Sequence, residues 1–348
     1  MSSAPSSLIE KAEAGRELSR PEAEAFMEEL LSGRIGTPEI VRMLVALNQR
    51  PVSIAELTGL AHVMRHYAAP VFADGEPRPM GMVDTCGTGG DETGTFNIST
   101  ASALVASAAG ARVAKHGNRS VSSRSGSADV LESLGVRIDL PMTVAGRSVR
   151  EIGIGFLFAP AAHAAARHAA PARQQIGKRT VFNLLGPLTN PAGAEAQVLG
   201  VFSTEVIDTV AAVLAELGTH RAFVVHGASG LDEISLSGET QIAELRDGSV
   251  RRFIVAPEDF GVSRAPLEAI RGGTPSENAK LIHSLLAGEP GPRLDVVVAN
   301  AAAALVVTGI AEDFRGAAEL ARQAVASGEA QLKLEQLRDF SQKHAPKK

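Results

Sequence analysis

Two short stretches of the chain concentrate the groups that hold phosphate. The first, Asp84-Thr85-Cys86-Gly87-Thr88-Gly89-Gly90-Asp91, leaves a strand-like run and leads into Phe96-Asn97-Ile98-Ser99-Thr100, which opens a helix. Gly87, Gly89 and Gly90 let the backbone turn tightly, take positive φ and approach a ligand closely. Their N–H groups can line a concavity for phosphate oxygens, and a helix starting near Ser99 adds the positive end of its dipole. Thr95, Ser99 and Thr100 bring hydroxyl donors. The spelling excludes two common nucleotide loops. No Lys follows a glycine to make a P-loop, and Glu92 stands where a dinucleotide fingerprint needs its third glycine. A tight strand-to-helix turn with a serine N-cap also explains this loop taken alone.

The second stretch, Lys115-His116-Gly117-Asn118-Arg119-Ser120-Val121-Ser122-Ser123, follows the next strand-like run and sets two cations, an amide and three hydroxyls within nine residues. Such groups recognise anions. Ser127, after Gly126, is placed to N-cap the next helix and still aim a donor at phosphate. Each residue singly would suit a solvated polar loop. Two such loops at the carboxyl ends of successive strands occupy the place where open α/β sheets bind ligands. Together they favour a phosphate-rich small molecule.

Asp232-Glu233 follows a Gly230-Leu231 turn. Adjacent carboxylates on a loop suit a hard cation such as Mg²⁺, although the two residues alone are better explained as an exposed acidic turn. Cys86 invites a nucleophile reading, but no base motif adjoins it, and a small buried residue at a strand end is the preferred account.

The elements that must position these groups follow from periodicity. Ser7 to about Ala69 contains apolar residues three and four apart, as in Ala25, Met27, Leu30, Leu31 and in Val41, Met43, Leu44, Leu47, with Pro51 as a breaker. That spacing predicts several short amphipathic helices and no strand. Thereafter strands at 80–85, 111–115, 155–158, 197–202 and 222–225 alternate with helices at 100–109, 128–134 and 205–217. Asp247-Gly248 between strand-like residues predicts an edge hairpin, and the chain from Glu277 reads as helical. The fold expected is α/β: a small N-terminal α-helical domain, then a larger α/β domain with a mostly parallel central sheet.

Composition narrows the partners. The 348 residues exceed the size at which one core usually stops growing, so two subdomains are expected. Aromatics make up 4%, with no Trp and Tyr67 as the single Tyr, so Ala, Val, Leu and Ile must fill the core. A net charge of −5 gives no global footprint for nucleic acid or an anionic membrane, and a polyanion would need a local basic site. A single Cys excludes a disulfide framework and fits a reducing cytoplasm. The N-terminus lacks a signal-like apolar run, and Val296 to Val307 is too short to span a bilayer, carries Asn300 and reads as a buried helix.

The strings CGTGGD, FNIST, KHGNRSVSSRSGSADVLESLG, RTVFNLLGPLTNPA and LDEISL occur in that order. Together they resemble the anthranilate phosphoribosyltransferase family over most of the chain. The resemblance implies a nucleoside phosphorylase/phosphoribosyltransferase-like fold, with a helical domain over 1–75 joined by helices from about 164–190 and a catalytic domain over 76–348. It implies transfer of the phosphoribosyl group of phosphoribosyl pyrophosphate to anthranilate in tryptophan biosynthesis, in a cytoplasmic homodimer using two Mg²⁺ ions. Gly87, Gly90, Asp91, Thr95, Asn97, Ile98, Ser99, Thr100, the run Lys115 to Ser123 and Ser127 match the donor site. Gly87, Asn118 and Arg173 match the acceptor site, and Ser99, Asp232 and Glu233 the metal site. No obligate acid or base is implied. Ala164 and Ala166 depart from the family pattern, which has a Pro and a larger side chain there, so a wider acceptor channel is expected. A pyrimidine nucleoside phosphorylase-like enzyme and a non-catalytic nucleic-acid-binding paralogue remain the alternatives.

Overall fold

Short-range signals start the helices that open the chain. α1 (Pro5–Glu13), α2 (Arg20–Leu31), α3 (Thr37–Leu47) and α4 (Ile54–His66) follow one another with no strand between them. Pro in the first turn of α2 and α3 supplies a preset φ where no N–H is needed. A capping box begins α4: the Glu56 N–H donates to Ser53 Oγ, and the Ser53 N–H donates back to Glu56 Oε2 at 2.9 Å. Glu56 is fully buried and also accepts from the Leu18 N–H and from Arg50, at 2.9 and 2.6 Å. One carboxylate thereby fixes α4 to the connection that precedes α2. The computed structural model describes residues 5–73, 75–90, 93–120 and 124–346, so the expected donor-site residues Asp91, Val121, Ser122 and Ser123 lie outside the described residues.

The α/β part is built on β1 (Met82–Gly87), β2 (Arg112–Gly117), β3 (Ile154–Phe158), β4 (Ala196–Gly200), β5 (Arg221–Gly227), β6 (Thr240–Arg246) and β7 (Ser249–Val255). Their spatial order is β3-β2-β1-β4-β5-β6-β7. The first five run parallel, and β6 and β7 add an antiparallel edge. Asp247 and Gly248 join β6 to β7 with φ of 48° and 81°, the two positive values of a type I′ hairpin turn. The hairpin begins earlier than the expected Arg246, at Thr240.

Helices cover both faces. α5 (Ile98–Ala108), α6 (Ser127–Ser133) and α7 (Met142–Ile152) lie between β1 and β3 in sequence. After β3 come α8 (Ala159–Ala162), α9 (Ala170–Ile176) and α10 (Val181–Leu188), then α11 (Ile207–Glu216) between β4 and β5. α12 (Pro275–Leu286), α13 (Pro292–Val307), α14 (Phe314–Ala326) and α15 (Glu329–Lys343) close the chain. α13 is buried from Val296 to Val307, as a run apolar but for Asn300 requires. Strand alternation divides the core. Phe223 and Val225 of β5 join the cluster that holds α5 and α13, whereas Ala222 and Val224 join the one that holds α1 to α4 and α9 to α11. The N-terminal helices therefore share a continuous apolar core with one face of the sheet.

Candidate active site

β1 and β2 end side by side, and a cavity of about 580 Å³ opens at their carboxyl ends. Gly87, Gly90, Thr95, Asn97, Ile98, Ser99, Lys115, His116, Gly117, Asn118, Arg119, Ser120, Ser127, Arg173, Asp232 and Glu233 all line it. Residues up to 146 positions apart, counted from Gly87 to Glu233, thus meet in one cleft. Thr100 is the exception among the described residues that were expected there. It is buried, one position past the residues of α5 that line the cavity, and its hydroxyl has no hydrogen-bond partner among the described residues.

The glycine loop is shaped by two different needs. Gly89 and Gly90 have φ of 63° and 74°, where a side chain would strain the backbone. Gly87 does not take positive φ; it is needed for space, because a Cβ there would lie 2.5 Å from Asp232 Oδ2. That oxygen accepts the Gly89 N–H at 2.9 Å, so the loop and the carboxylate pair are in direct contact. Arg179 crosses the Phe202 ring at 4.7 Å and donates to the Gly90 carbonyl, and its own carbonyl accepts from Asn48 of the N-terminal helices at 2.7 Å.

The helix that follows opens one residue earlier than expected. Asn97, not a serine, holds the N-cap position of α5, and its side chain is drawn away to Ser125 and Asn278. Among the described residues no side chain caps α5; the Ile98 N–H donates to the Phe96 carbonyl at 2.7 Å, which leaves the Ser99 and Thr100 N–H groups and the helix dipole for an anion. Ser127 likewise lies just inside α6 rather than at its cap, which is Gly126. Its hydroxyl accepts the Asn118 N–H and donates to the Asn118 carbonyl, both at 3.2 Å, pinning the second loop. Arg119 lines the cleft, but its guanidinium is engaged by Asp129 and Glu132 at 2.9 and 2.6 Å.

Lys115 is the cation at the centre. It is buried, and its Nζ donates to the Thr85 carbonyl at 2.5 Å and to Ser99 Oγ at 3.3 Å. Burial pulls its pKa below the ordinary lysine value, and the Asp84 carboxylate opposes that. Burial pushes Asp84 up in turn, while Lys115 and the bonded groups around it hold it down. His116 is pushed down to about 3, chiefly by burial and next by His163, whose ring lies 5.2 Å away. It is neutral at physiological pH, and its Nε2 has no partner. Cys86 borders the cleft and is only partly buried, yet its surroundings push the thiol well up, and Gln197 donates to Sγ at 3.0 Å. That is an inert thiol.

Arg173 also lines the cavity; it lies over the Phe182 ring at 5.2 Å and has no carboxylate partner among the described residues. Beside it stand Ala164 and Ala166, Phe182, Asn183, Pro187 and Thr189. The last four were not singled out as site residues. Their signal was the RTVFNLLGPLTNPA run, whose apolar composition reads as ordinary helix packing. Among the described residues no three His, Cys, Asp or Glu side chains cluster as metal ligands. Two adjacent carboxylates beside a phosphate-type loop instead suit a cation that shares its coordination with water and phosphate oxygens.

Comparison with known proteins agrees with this geometry. Residues 6–68 match the glycosyl transferase family, helical bundle domain, and residues 80–331 the glycosyl transferase family, a/b domain. The anthranilate phosphoribosyltransferase of Symbiobacterium thermophilum is 49% identical over 334 residues, covering 96% of this chain and 97% of that protein. The chain belongs to the anthranilate phosphoribosyltransferase family. The crystal structure of the anthranilate phosphoribosyltransferase from Thermus thermophilus superposes with a TM-score of 0.89 at 45% identity, covering 96% of this chain and 99% of that one. The Saccharomyces cerevisiae anthranilate phosphoribosyltransferase in complex with PRPP and Mg has a TM-score of 0.88 at 26% identity, covering 97% and 98%. The same yeast enzyme in complex with 4-fluoroanthranilate has a TM-score of 0.86 at 25% identity, covering 98% and 99%.

Proposed function

We propose that this cleft transfers the phosphoribosyl group of phosphoribosyl pyrophosphate to the amine of anthranilate, releasing pyrophosphate. The observation that carries the reading is the convergence, in one cavity, of two phosphate-type loops and a guanidinium that has no carboxylate partner among the described residues. The loops and Lys115 take the anionic donor, and the planar fork of Arg173 takes the acceptor carboxylate, with Phe182 beneath it. Asp232 and Glu233, with the Ser99 hydroxyl, hold Mg²⁺; two ions are part of this reading. When bound, Mg²⁺ neutralises charge developing on the departing pyrophosphate.

The chain's own groups supply the rest. An aniline nitrogen is neutral at pH 7 and attacks without a base, which is consistent with a neutral His116 and an inert Cys86. The demanding event is departure of pyrophosphate from ribose C1. Lys115 and the start of α5 stabilise the charge it develops. Holding the two substrates in one cleft supplies proximity and orientation. The reading extends to a cytoplasmic homodimer contacting through the N-terminal helices, and to a division of the chain near residue 75 with the helices of 164–190 joining the first part. Among the described residues no helix is long and apolar enough to cross a membrane.

Incubating the protein with phosphoribosyl pyrophosphate, Mg²⁺ and anthranilate tests the reading. Anthranilate fluorescence changes with time if it is right. Unchanged fluorescence, together with phosphorolysis of thymidine or uridine, would replace it with a nucleoside phosphorylase.

A further inference from the structure

The Asp232-Glu233 dipeptide crosses the ends of three neighbouring strands, each of which ends in glycine. Gly87 of β1 pairs with Gly200 of β4, and Gly227 closes β5. A Cβ on Gly200 would lie 1.5 Å from the Asp232 carbonyl oxygen, and one on Gly227 would lie 2.4 Å from the Glu233 carbonyl oxygen. The strand ends thus form a trough that no side chain could share with the dipeptide. Upstream, the Gly227 N–H donates to the Leu231 carbonyl at 2.8 Å. Downstream, Asn300 of α13 grips the next residue on both sides. Its Oδ1 accepts the Ile234 N–H at 2.9 Å, and its Nδ2 donates to the Ile234 carbonyl at 3.0 Å and to the Val296 carbonyl at 2.9 Å. Asn300 is buried in an otherwise apolar stretch of helix and does not line the cleft. A polar group is costly there unless a specific partner needs it.

We propose that Asn300 is a positioning residue for the Asp232 and Glu233 carboxylates, acting through the backbone of Ile234 across the Gly200–Gly227 trough. The proposal rests on the metal reading given above. Replacing Asn300 releases the downstream end of the dipeptide, so the carboxylates no longer meet a cation at a fixed separation.

Mn²⁺ binding in the presence of inorganic pyrophosphate, followed by electron paramagnetic resonance of the free ion, tests this on the full chain. The substitutions are Asn300→Leu and Asn300→Asp; the latter keeps an acceptor for the Ile234 N–H and serves if the former does not fold. Each is expected to weaken Mn²⁺ binding by about 10- to 100-fold, the usual cost of losing a group that supports metal ligands. Anthranilate binding, read by its own fluorescence, is expected not to change, and raising Mg²⁺ should restore turnover. Unaltered Mn²⁺ affinity in folded Asn300 variants overturns the proposal and leaves Asn300 a structural residue. The Asp232→Ala/Glu233→Ala protein separates the two ideas. If it binds Mn²⁺ like the unmodified chain, the metal reading falls and takes this one with it. If it loses Mn²⁺ while both Asn300 variants keep it, only the positioning role falls.

Discussion

At the scale of single residues, chemistry in this cleft is set by what each side chain is already bonded to. Arg119 and Asn97 resemble ligands in sequence, but ion pairs to the one and side-chain hydrogen bonds of the other have committed both to holding loops in place. Arg173 is not committed in that way. Arg173→Ala should raise KM for anthranilate by about 10- to 100-fold, the equivalent of roughly 1.5–3 kcal/mol for hydrogen bonds to a charged group. KM for the ribose donor should barely move; equal changes in both, measured by initial rates, would remove its acceptor role. Asp232→Ala with Glu233→Ala should lower turnover by roughly 100-fold or more, the several kcal/mol of charge stabilisation that a bound cation gives. A Mg²⁺ titration of rate checks that, and full activity refutes it. Ala164 and Ala166 line the cleft; if anthranilate binds beside them as proposed, ring-substituted anthranilates should be accepted, and Ala166→Leu should discriminate against them in kcat/KM. These residues were legible in sequence because phosphate and carboxylate recognition needs few residue types. Commitment to a neighbour such as Glu132 is a tertiary fact and was not.

At the scale of elements, local signals decide where segments start and long-range contacts decide which are recognised as elements at all. The strands at 154–158 and 221–227 and the turn at Asp247-Gly248 were readable because period and turn chemistry are local. α7 was not read. Its buried face uses Ala145, Gly146 and Ser148, and a Cβ on Gly146 would lie 2.1 Å from the Val71 carbonyl oxygen. Met142, Ala145 and Val149 recur three and four residues apart on the same buried face, so the apolar stripe was present in the sequence although the helix was not read from it. Glu56 carries a prediction at this scale. Burial, the largest single influence, pushes its pKa up, but Arg50 and the N–H groups of Leu18 and Ser53 outweigh it and leave it below the ordinary value. A carboxylate held low in the folded state stabilises the fold above its unfolded value and loses that contribution as pH falls through the folded one. Glu56→Gln should therefore destabilise the protein by about 3–5 kcal/mol near neutral pH, the cost of stranding one partner of a buried pair. Denaturant unfolding at pH 7 and below pH 4 checks it, and a difference between variant and parent that did not shrink in acid would contradict it.

At the scale of the whole molecule, the parallel strands of the sheet gather the ends of β1, β2, β4 and β5, and the helices packed on one face bring Arg173 into the same cavity. The α/β class and the helical start were visible in sequence, since alternating and 3.6-period patterns extend over many residues. The shared core between α1–α4 and the sheet was not, because apolar helix faces do not name their partner. Nor was the trough beneath Asp232-Glu233, since Gly200 falls inside the expected strand at 197–202 and Gly227 beyond the one at 222–225, and only the folded sheet brings both under the dipeptide. The account depends on one arrangement: donor at the strand-end loops, acceptor at Arg173, both in a single cavity. A crystal structure of the protein with phosphoribosyl pyrophosphate, Mg²⁺ and anthranilate measures it directly. The account predicts the diphosphate against Gly87–Gly90 and Lys115, the cation at Asp232 and Glu233, and the anthranilate carboxylate on Arg173. Diphosphate bound away from both loops, or an anthranilate carboxylate without contact to Arg173, would contradict it.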